Sequence, residues 1–176
     1  METRIGSYTS FRLRTAADKL WSMTTVYDVP ARPFLASLAD HLRGEGKVLP
    51  PDWAPFVRTG VHTEKAPVDS DWWHLRVAAV LRKVYLRGPI GTTRLAAEFG
   101  GRRDDGSAPY HARRGSRAIA RYALQVLEGA GYLRPEEKAG RVVSPEGQRT
   151  MDRIAHDVLV RLAAERPELA KYLRTG

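Results

Sequence analysis

The sequence contains no cysteine in its 176 residues. This absence excludes disulfide bonds, thiol nucleophiles and cysteine-ligated zinc, and it is typical of proteins from a reducing compartment. No stretch approaches the ~18 consecutive apolar residues of a membrane-spanning helix, so no span is predicted. The first twenty residues also lack the apolar core of a secretory signal, because charges interrupt them at Arg4, Arg12, Arg14, Asp18 and Lys19. We therefore expect a cytoplasmic protein.

The sequence also lacks the patterns of a catalytic or metal site. No pair has metal-ligand spacing among the five histidines, which are His41, His62, His74, His111 and His156. Gly100-Gly101 is not followed by the further glycines or the lysine of a nucleotide-binding loop. Ser116 precedes a helical pattern, so we interpret it as a helix N-cap rather than a nucleophile. We predict no enzyme activity, no metal and no cofactor.

Positive charge is what the sequence has in excess, with a formal net charge of +9. Eleven Lys and Arg residues but only three acidic residues lie between residues 72 and 121, which gives this stretch +8. The other 126 residues hold 18 basic and 17 acidic groups and are nearly neutral. A charge concentrated in this way is typical of a protein that binds a polyanion.

The hydrophobic patterns predict a mainly α domain with a short β-hairpin. A helix over residues 71–87 has apolar residues on nearly every side, which is typical of a helix at the centre of a domain. We expect Trp72, Leu75 and Leu81 to be core residues of this helix. A short helix follows Thr92, and an amphipathic third helix begins around residues 114–116.

Residues 100–112, between the second and third helices, are interpreted as a long basic loop in which Gly106 and Pro109 mark turns. Residues 132–134 and 141–143 predict a hairpin. Ser144-Pro145 then predicts the N-cap and first position of a closing helix. This order of helices and hairpin predicts a winged-helix-like fold.

Two functions fit the residue pattern by itself: a structural RNA-binding protein and a winged-helix DNA-binding transcriptional regulator. In a DNA-binding winged helix, a turn of about three or four residues joins the second and third helices. The connection here is predicted to be much longer and basic, and it would obstruct insertion of the third helix into a groove. Arginine exceeds lysine in the central stretch, and its planar guanidinium suits bidentate contact with phosphate.

Several ordered motifs resemble the S19e family of small-subunit ribosomal proteins. The most specific runs are Arg114-Gly115-Ser116 to Arg121 and Leu124 to Glu128. Other matching residues are Trp53, Glu64-Lys65-Ala66-Pro67, Asp69, Trp72-Trp73, Arg76-Val77-Ala78, Tyr85-Leu86-Arg87-Gly88, Gly100-Gly101-Arg102, Gly106, Pro109, His111, Gly147-Gln148-Arg149 and Asp152. The sequence departs from the family pattern at Thr63, Phe99 and Asp104-Asp105.

The resemblance covers about residues 25–160 and implies a protein in the head of the small ribosomal subunit. Its implied partners are ribosomal RNA of that subunit and other head proteins, and it implies a role in maturation of the subunit. We expect a monomer outside the ribosome, with no membrane partner and no small-molecule substrate. The RNA-binding residues expected are Arg76, Lys83, Arg87, Arg102, Arg103, Tyr110, His111, Arg113, Arg114, Arg117 and Arg121.

The resemblance also suggests domain boundaries. Residues 1–22 are polar, weakly patterned and carry a charge of +2, so we predict a flexible extension. Met23 looks like a start typical of the family, and the extension could equally reflect an upstream start codon. We predict that the folded domain comprises residues 23–166 and that residues 167–176 form a C-terminal tail.

Overall fold

A computed structural model describes residues 24–137 and 139–172, with side chains up to Leu169. The predicted extension and the end of the predicted tail lie outside the described residues. Within the described ranges there are five α-helices: α1 (Ala31–Gly44), α2 (Trp72–Arg87), α3 (Thr92–Glu98), α4 (Arg117–Gly129) and α5 (Pro145–Glu165). The same ranges contain two antiparallel hairpins, formed by β1 (Gly101–Asp105) with β2 (Ala108–Arg113) and by β3 (Leu133–Glu136) with β4 (Gly140–Val143).

The elements from α2 to α5 follow the order of a winged helix, with the hairpin β3–β4 as the wing. Ile90, in the connection between α2 and α3, pairs with Arg141 of β4 through two backbone hydrogen bonds of 3.1 and 3.2 Å. This single β-bridge ties the wing to the connection between the two helices. The prediction of a mainly α, winged-helix-like fold with a hairpin wing is confirmed.

Helix α2 lies at the centre of the hydrophobic core. Its residues Val77, Ala78, Leu81 and Val84 are almost completely buried. The helix packs against α1, α4 and β4. Each apolar side of α2 therefore packs against another element, as expected for a helix at the centre of the domain.

A cluster of aromatic side chains joins α2 to its neighbours. The ring of Trp73 lies 5.7 Å from Trp53, 5.8 Å from Trp72 and 5.5 Å from Tyr122, measured between centroids. Trp72 also donates a hydrogen bond from Nε1 to the carbonyl of Ala54 at 3.2 Å. Edge-to-face and tilted pairs of this kind add to the energy of burial. These rings therefore lie in the core or pack directly against it.

The prediction that Leu75 is a core residue was wrong, because its side chain is 37% exposed. Leu75 borders a shallow groove of about 290 Å³ between α1 and the start of α2, together with Ala36 and Ala39. The small alanines of α1 do not fill the space above this leucine. Trp72 and Leu81, in contrast, are buried as predicted.

Two serines begin helices as the sequence predicted. Ser116 accepts a hydrogen bond from the N–H of Ile119, and Ser144 accepts one from the N–H of Gly147 at 3.0 Å. Ser144 is followed by Pro145 at the first helical position, where its missing N–H has no cost. Among the described residues, no helix combines the length and the hydropathy needed to cross a bilayer.

The prediction of a basic loop over residues 100–112 was wrong, because this segment is the hairpin β1–β2. Gly106 takes a positive φ of 73° in the turn, and Asp104 Oδ1 accepts the N–H of Gly106 at 2.9 Å. Side chains on both faces of the hairpin are largely exposed, so no apolar–polar alternation marks the strands. Pro109 is tolerated in β2 because a two-stranded hairpin has free edges.

A buried carboxylate joins α5 to α2 and to the beginning of the described chain. Asp152 of α5 is only 5% exposed and accepts a hydrogen bond from the hydroxyl of Tyr85 at 2.8 Å. The backbone N–H of Val26, in a 3₁₀ helix at Val26–Asp28, also donates to Asp152. Burial raises the pKa of Asp152 above its ordinary value, although both hydrogen bonds oppose this effect.

Candidate nucleic-acid interface

The hairpin β1–β2 is anchored where α3 ends and α4 begins. Gly115 donates a hydrogen bond to the carbonyl of Ala96 at 2.9 Å and pairs with Gly60 of an earlier segment. Ser116 donates from its backbone N–H to the carbonyl of Thr59, also at 2.9 Å. A Cβ atom on Gly115 would lie 2.6 Å from the carbonyl oxygen of Phe99, so only glycine fits there. The backbone therefore fixes the hairpin relative to α4.

Helix α4 presents a row of arginines beside this anchor. Arg114, which precedes the helix, and Arg117 and Arg121 within it are all exposed. None of the three forms an ion pair with a carboxylate whose side chain is described. The opposite side of α4 is buried through Ala123, Leu124 and Leu127 and other apolar residues. The three guanidinium groups are therefore free to contact an anionic partner.

Arg113, also expected to bind RNA, does not belong to this row. The helix begins only at Arg117, and Arg113 is the last residue of β2. Arg113 and Arg103 instead lie on one face of the hairpin, where they pair with Asp105 at 3.7 and 3.0 Å. His111 is paired in register with Arg103. Surface pairs of this kind contribute little stability, so Arg103 and Arg113 remain available to phosphate.

The other face of the hairpin carries an aromatic stack. Arg102 lies with Cζ 4.9 Å from the centroid of the Tyr110 ring. The hydroxyl of Tyr110 donates to Asp104 Oδ2 at 3.3 Å. Tyr110 nevertheless keeps 54% of its surface exposed. The hairpin therefore combines cations on both faces with one accessible ring.

The three candidate residues on α2 are engaged within the protein. Arg76 lies over the ring of Phe99. Lys83 and Arg87 both pair with Glu98 Oε2 of α3, at 2.8 and 3.4 Å. The hydrogen bond from Lys83 lowers the pKa of Glu98, so this carboxylate stays ionised at neutral pH. The structure does not bring these residues into the row formed by Arg114, Arg117 and Arg121.

Two further cations near the hairpin were missed from the sequence. Arg58 and Lys65 lie in the segment that pairs through Gly60 with Gly115, and both line a cleft against the hairpin. Neither pairs with a described carboxylate. Both residues lie about fifty residues before α4 in the chain. Only the Gly60–Gly115 pairing shows that they are close to the hairpin and to α4.

A model of the family described as ribosomal protein S19e matches residues 25–161. The chain belongs to this family. The resemblance found in the sequence motifs is thereby confirmed. The matched span of this S19e chain contains α1 to α4, both hairpins and all eleven candidate RNA-binding residues.

Curated relatives agree with the family match. The small ribosomal subunit protein eS19 of Thermoplasma acidophilum is 40% identical over 151 residues, which cover 86% of this chain and all of the relative. The protein of the same name from Aeropyrum pernix is 39% identical over 153 residues, with the same coverage. The eS19A protein of Schizosaccharomyces pombe is 42% identical over 135 residues, covering 77% of this chain and 94% of the relative.

Proposed function

We propose that this chain is a structural constituent of the small ribosomal subunit, where it binds ribosomal RNA and is needed for maturation of the subunit. The archaeal and yeast relatives bear the names of small-subunit ribosomal proteins, and this similarity supports the proposal. The role is structural rather than catalytic. Its place is the head of the subunit, in contact with other head proteins, in the cytoplasm, and the protein is a monomer before it is incorporated.

One observation carries the RNA-binding part of the proposal: the exposed row of Arg114, Arg117 and Arg121 has no partner carboxylate among the described side chains. Arginine forms bidentate, charge-assisted hydrogen bonds with phosphate oxygens. Arg102, Arg103, Arg113 and the cations at positions 58 and 65 extend the same positive surface over the hairpin. A surface of this kind suits the phosphate backbone of a folded RNA.

The alternative, a DNA-binding transcriptional regulator, is less well supported. In winged-helix and helix-turn-helix proteins, the first residues of the recognition helix contact base edges in the major groove. Here the start of α4 is tied to an earlier segment, because the Ser116 N–H donates to the carbonyl of Thr59, and the hairpin β1–β2 projects from the same place. This arrangement favours contact along the exposed side of α4 over insertion of its N-terminus into a groove.

The experiment is a charge reversal on α4. The double variant Arg117→Glu with Arg121→Glu should stay folded, because both side chains are exposed, and should bind small-subunit ribosomal RNA more weakly. Each lost phosphate contact should flatten the slope of log K against log salt by about 0.7–0.9. The variant should also leave the small-subunit fraction when cell extracts are sedimented at high salt.

The matched control is Arg149→Glu with Arg153→Glu, which places the same charge change on exposed positions of α5, also four residues apart. This control should bind RNA much better than the α4 variant, since it changes the net charge of the protein but leaves the α4 surface intact. Equal losses for the two variants would show that net charge, and not the α4 surface, determines binding. A folded α4 variant that enters small subunits normally would refute the proposal.

A further inference from the structure

An open cleft of about 760 Å³ separates the hairpin β1–β2 from the segment at residues 58–65. This volume lies within the range of about 300–1,000 Å³ that is typical of small-molecule pockets. On the hairpin side the cleft is lined by Arg102, Arg103, Asp104 and Tyr110. The family match and the α4 arginines do not assign any role to this space.

The ring of His62, which lines the cleft, packs against the backbone of two glycines, one on each wall. A Cβ atom on Gly60 or on Gly101 would lie 2.7 Å from atoms of this ring. The turn that carries His62 is closed by Thr63, whose hydroxyl donates to the carbonyl of Gly60 at 2.9 Å. This packing joins the two walls, and a preformed cleft lowers the entropic cost of placing a ligand in it.

The chemistry of the lining suits a nucleotide. Four cations (Arg58, Lys65, Arg102 and Arg103) and two carboxylates (Glu64 and Asp104) line the cleft, so its net charge is positive even though Arg103 is paired with Asp105. Its aromatic member, Tyr110, is half exposed and already stacks with one planar group, the guanidinium of Arg102. Unpaired bases of RNA are bound in this way, by stacking on aromatic rings and arginine planes with cations on the adjoining phosphates.

We propose that this cleft binds one unpaired base of the RNA, which continues the stack of Arg102 and Tyr110 while Arg58 and Lys65 contact the flanking phosphates. The inference rests on the proposed RNA-binding function and adds a preference for RNA that contains an unpaired nucleotide. The row on α4 contacts phosphates of paired or unpaired RNA alike, whereas a base inside a helix is stacked on its neighbours and cannot enter the cleft. The site therefore selects RNA with a bulged or looped-out nucleotide.

The test uses the full chain and two RNA hairpins that differ by one bulged 2-aminopurine nucleotide. The wild-type protein should bind the bulged hairpin more tightly and quench its 2-aminopurine fluorescence, because stacking quenches this base. Tyr110→Ala should weaken binding of the bulged hairpin by about tenfold and abolish the quenching, with little effect on the fully paired hairpin. Tyr110→Phe keeps the ring and should retain both properties.

Phe56→Ala is the matched control, since it removes another exposed ring, 86% accessible, that does not line the cleft. It should behave as the wild type does. Persistent quenching in Tyr110→Ala, or equal losses on both hairpins, would overturn the base-binding site. The proposed function fails separately: it would be contradicted if Arg117→Glu with Arg121→Glu bound both hairpins normally, whatever Tyr110 does.

Discussion

The guanidinium of Arg76 lies over the ring of Phe99, with Cζ 4.5 Å from the ring centroid. Arg76 comes from the central helix α2, and Phe99 follows α3 directly before the hairpin β1–β2. Burial lowers the pKa of Arg76, yet an arginine remains protonated at any physiological pH. The contact therefore fixes the base of the hairpin to the core with a residue that the sequence assigned to RNA.

We predict that Arg76→Ala reduces stability more than it reduces RNA binding. A cation–π contact contributes about 0.5–2 kcal/mol, and the alkyl part of the side chain adds packing. Urea denaturation should show the lower unfolding free energy of Arg76→Ala. RNA titration of the folded variant should show a smaller loss of affinity than Arg117→Ala causes. Arg94→Ala, at an exposed position of α3, is the control and should change the unfolding free energy by less than about 0.5 kcal/mol. If Arg76→Ala had normal stability but had lost RNA binding, Arg76 would be an RNA contact and not a structural residue.

Asp105 limits the positive charge of the hairpin, since it pairs with both Arg103 and Arg113. We predict that Asp105→Asn tightens RNA binding at low salt and steepens its salt dependence, because two guanidinium groups are released and one repulsive charge is removed. Filter binding over a range of salt concentrations measures both quantities. Asp157→Asn, at an exposed position of α5, is the matched control with the same change of net charge. The same gain in the control would mean that the location of the charge does not matter.

The sequence predicted those elements whose signals are local. Ser144-Pro145 marked the start of α5, and the Ser116 cap marked α4, because the capping contacts span only three residues. The core position of α2 was predicted because apolar residues lie on nearly every side of this helix. In the fold these sides pack against α1, α4 and β4. Leu75 was misassigned since the pattern cannot tell which face meets only the small alanines of α1.

The candidate site was predicted less completely, because its chemistry depends on contacts between distant residues. The exposure of Arg117 and Arg121 follows from their spacing of four residues and from the apolar residues on the other side of α4. In contrast, Lys83 and Arg87 form one stripe in the sequence, but their pairing with Glu98 depends on how α3 folds back against α2. The hairpin β1–β2 was read as a loop because exposure of both faces removes the alternation from which strands are recognised.

Trp72 provides a test of the core. It is 9% exposed, packs edge-on against Trp73 and bonds to Ala54. We predict that Trp72→Ala lowers the unfolding free energy by about 3–5 kcal/mol, through lost burial and the cavity left behind. Such a loss is a large part of the stability of a typical domain, so function should fail through unfolding. Thermal denaturation measures the effect, and an unchanged melting temperature would refute the prediction.

Asp152 should make stability depend on pH. Because its pKa is raised in the folded state, the folded protein binds this proton more tightly than the unfolded chain does. The contribution to stability is therefore fully present below the ordinary pKa of 3.8 and is lost as pH rises through the raised value. We predict that Asp152→Asn, which still accepts the Tyr85 hydroxyl, gains stability relative to wild type as pH rises from about 4 to 7. Parallel stability curves for the two proteins across this range would contradict the prediction.

The limits of the folded domain, proposed as residues 23–166, give the last prediction. The buried core cluster runs from Val26 to Leu159, with Leu162 packed against it, so a fragment of residues 23–166 retains all of it. We expect this fragment to melt within a few degrees of the full chain. A shorter fragment, residues 31–166, is the control, because it also loses Val26 and Val29, which are 0% and 4% exposed, and the hydrogen bond from Val26 to Asp152. Its melting temperature should fall clearly, since two buried side chains and one partner of a buried carboxylate are removed. A comparable fall for residues 23–166 would show that one of the removed ends docks on the core, and the domain boundary would then have to be moved.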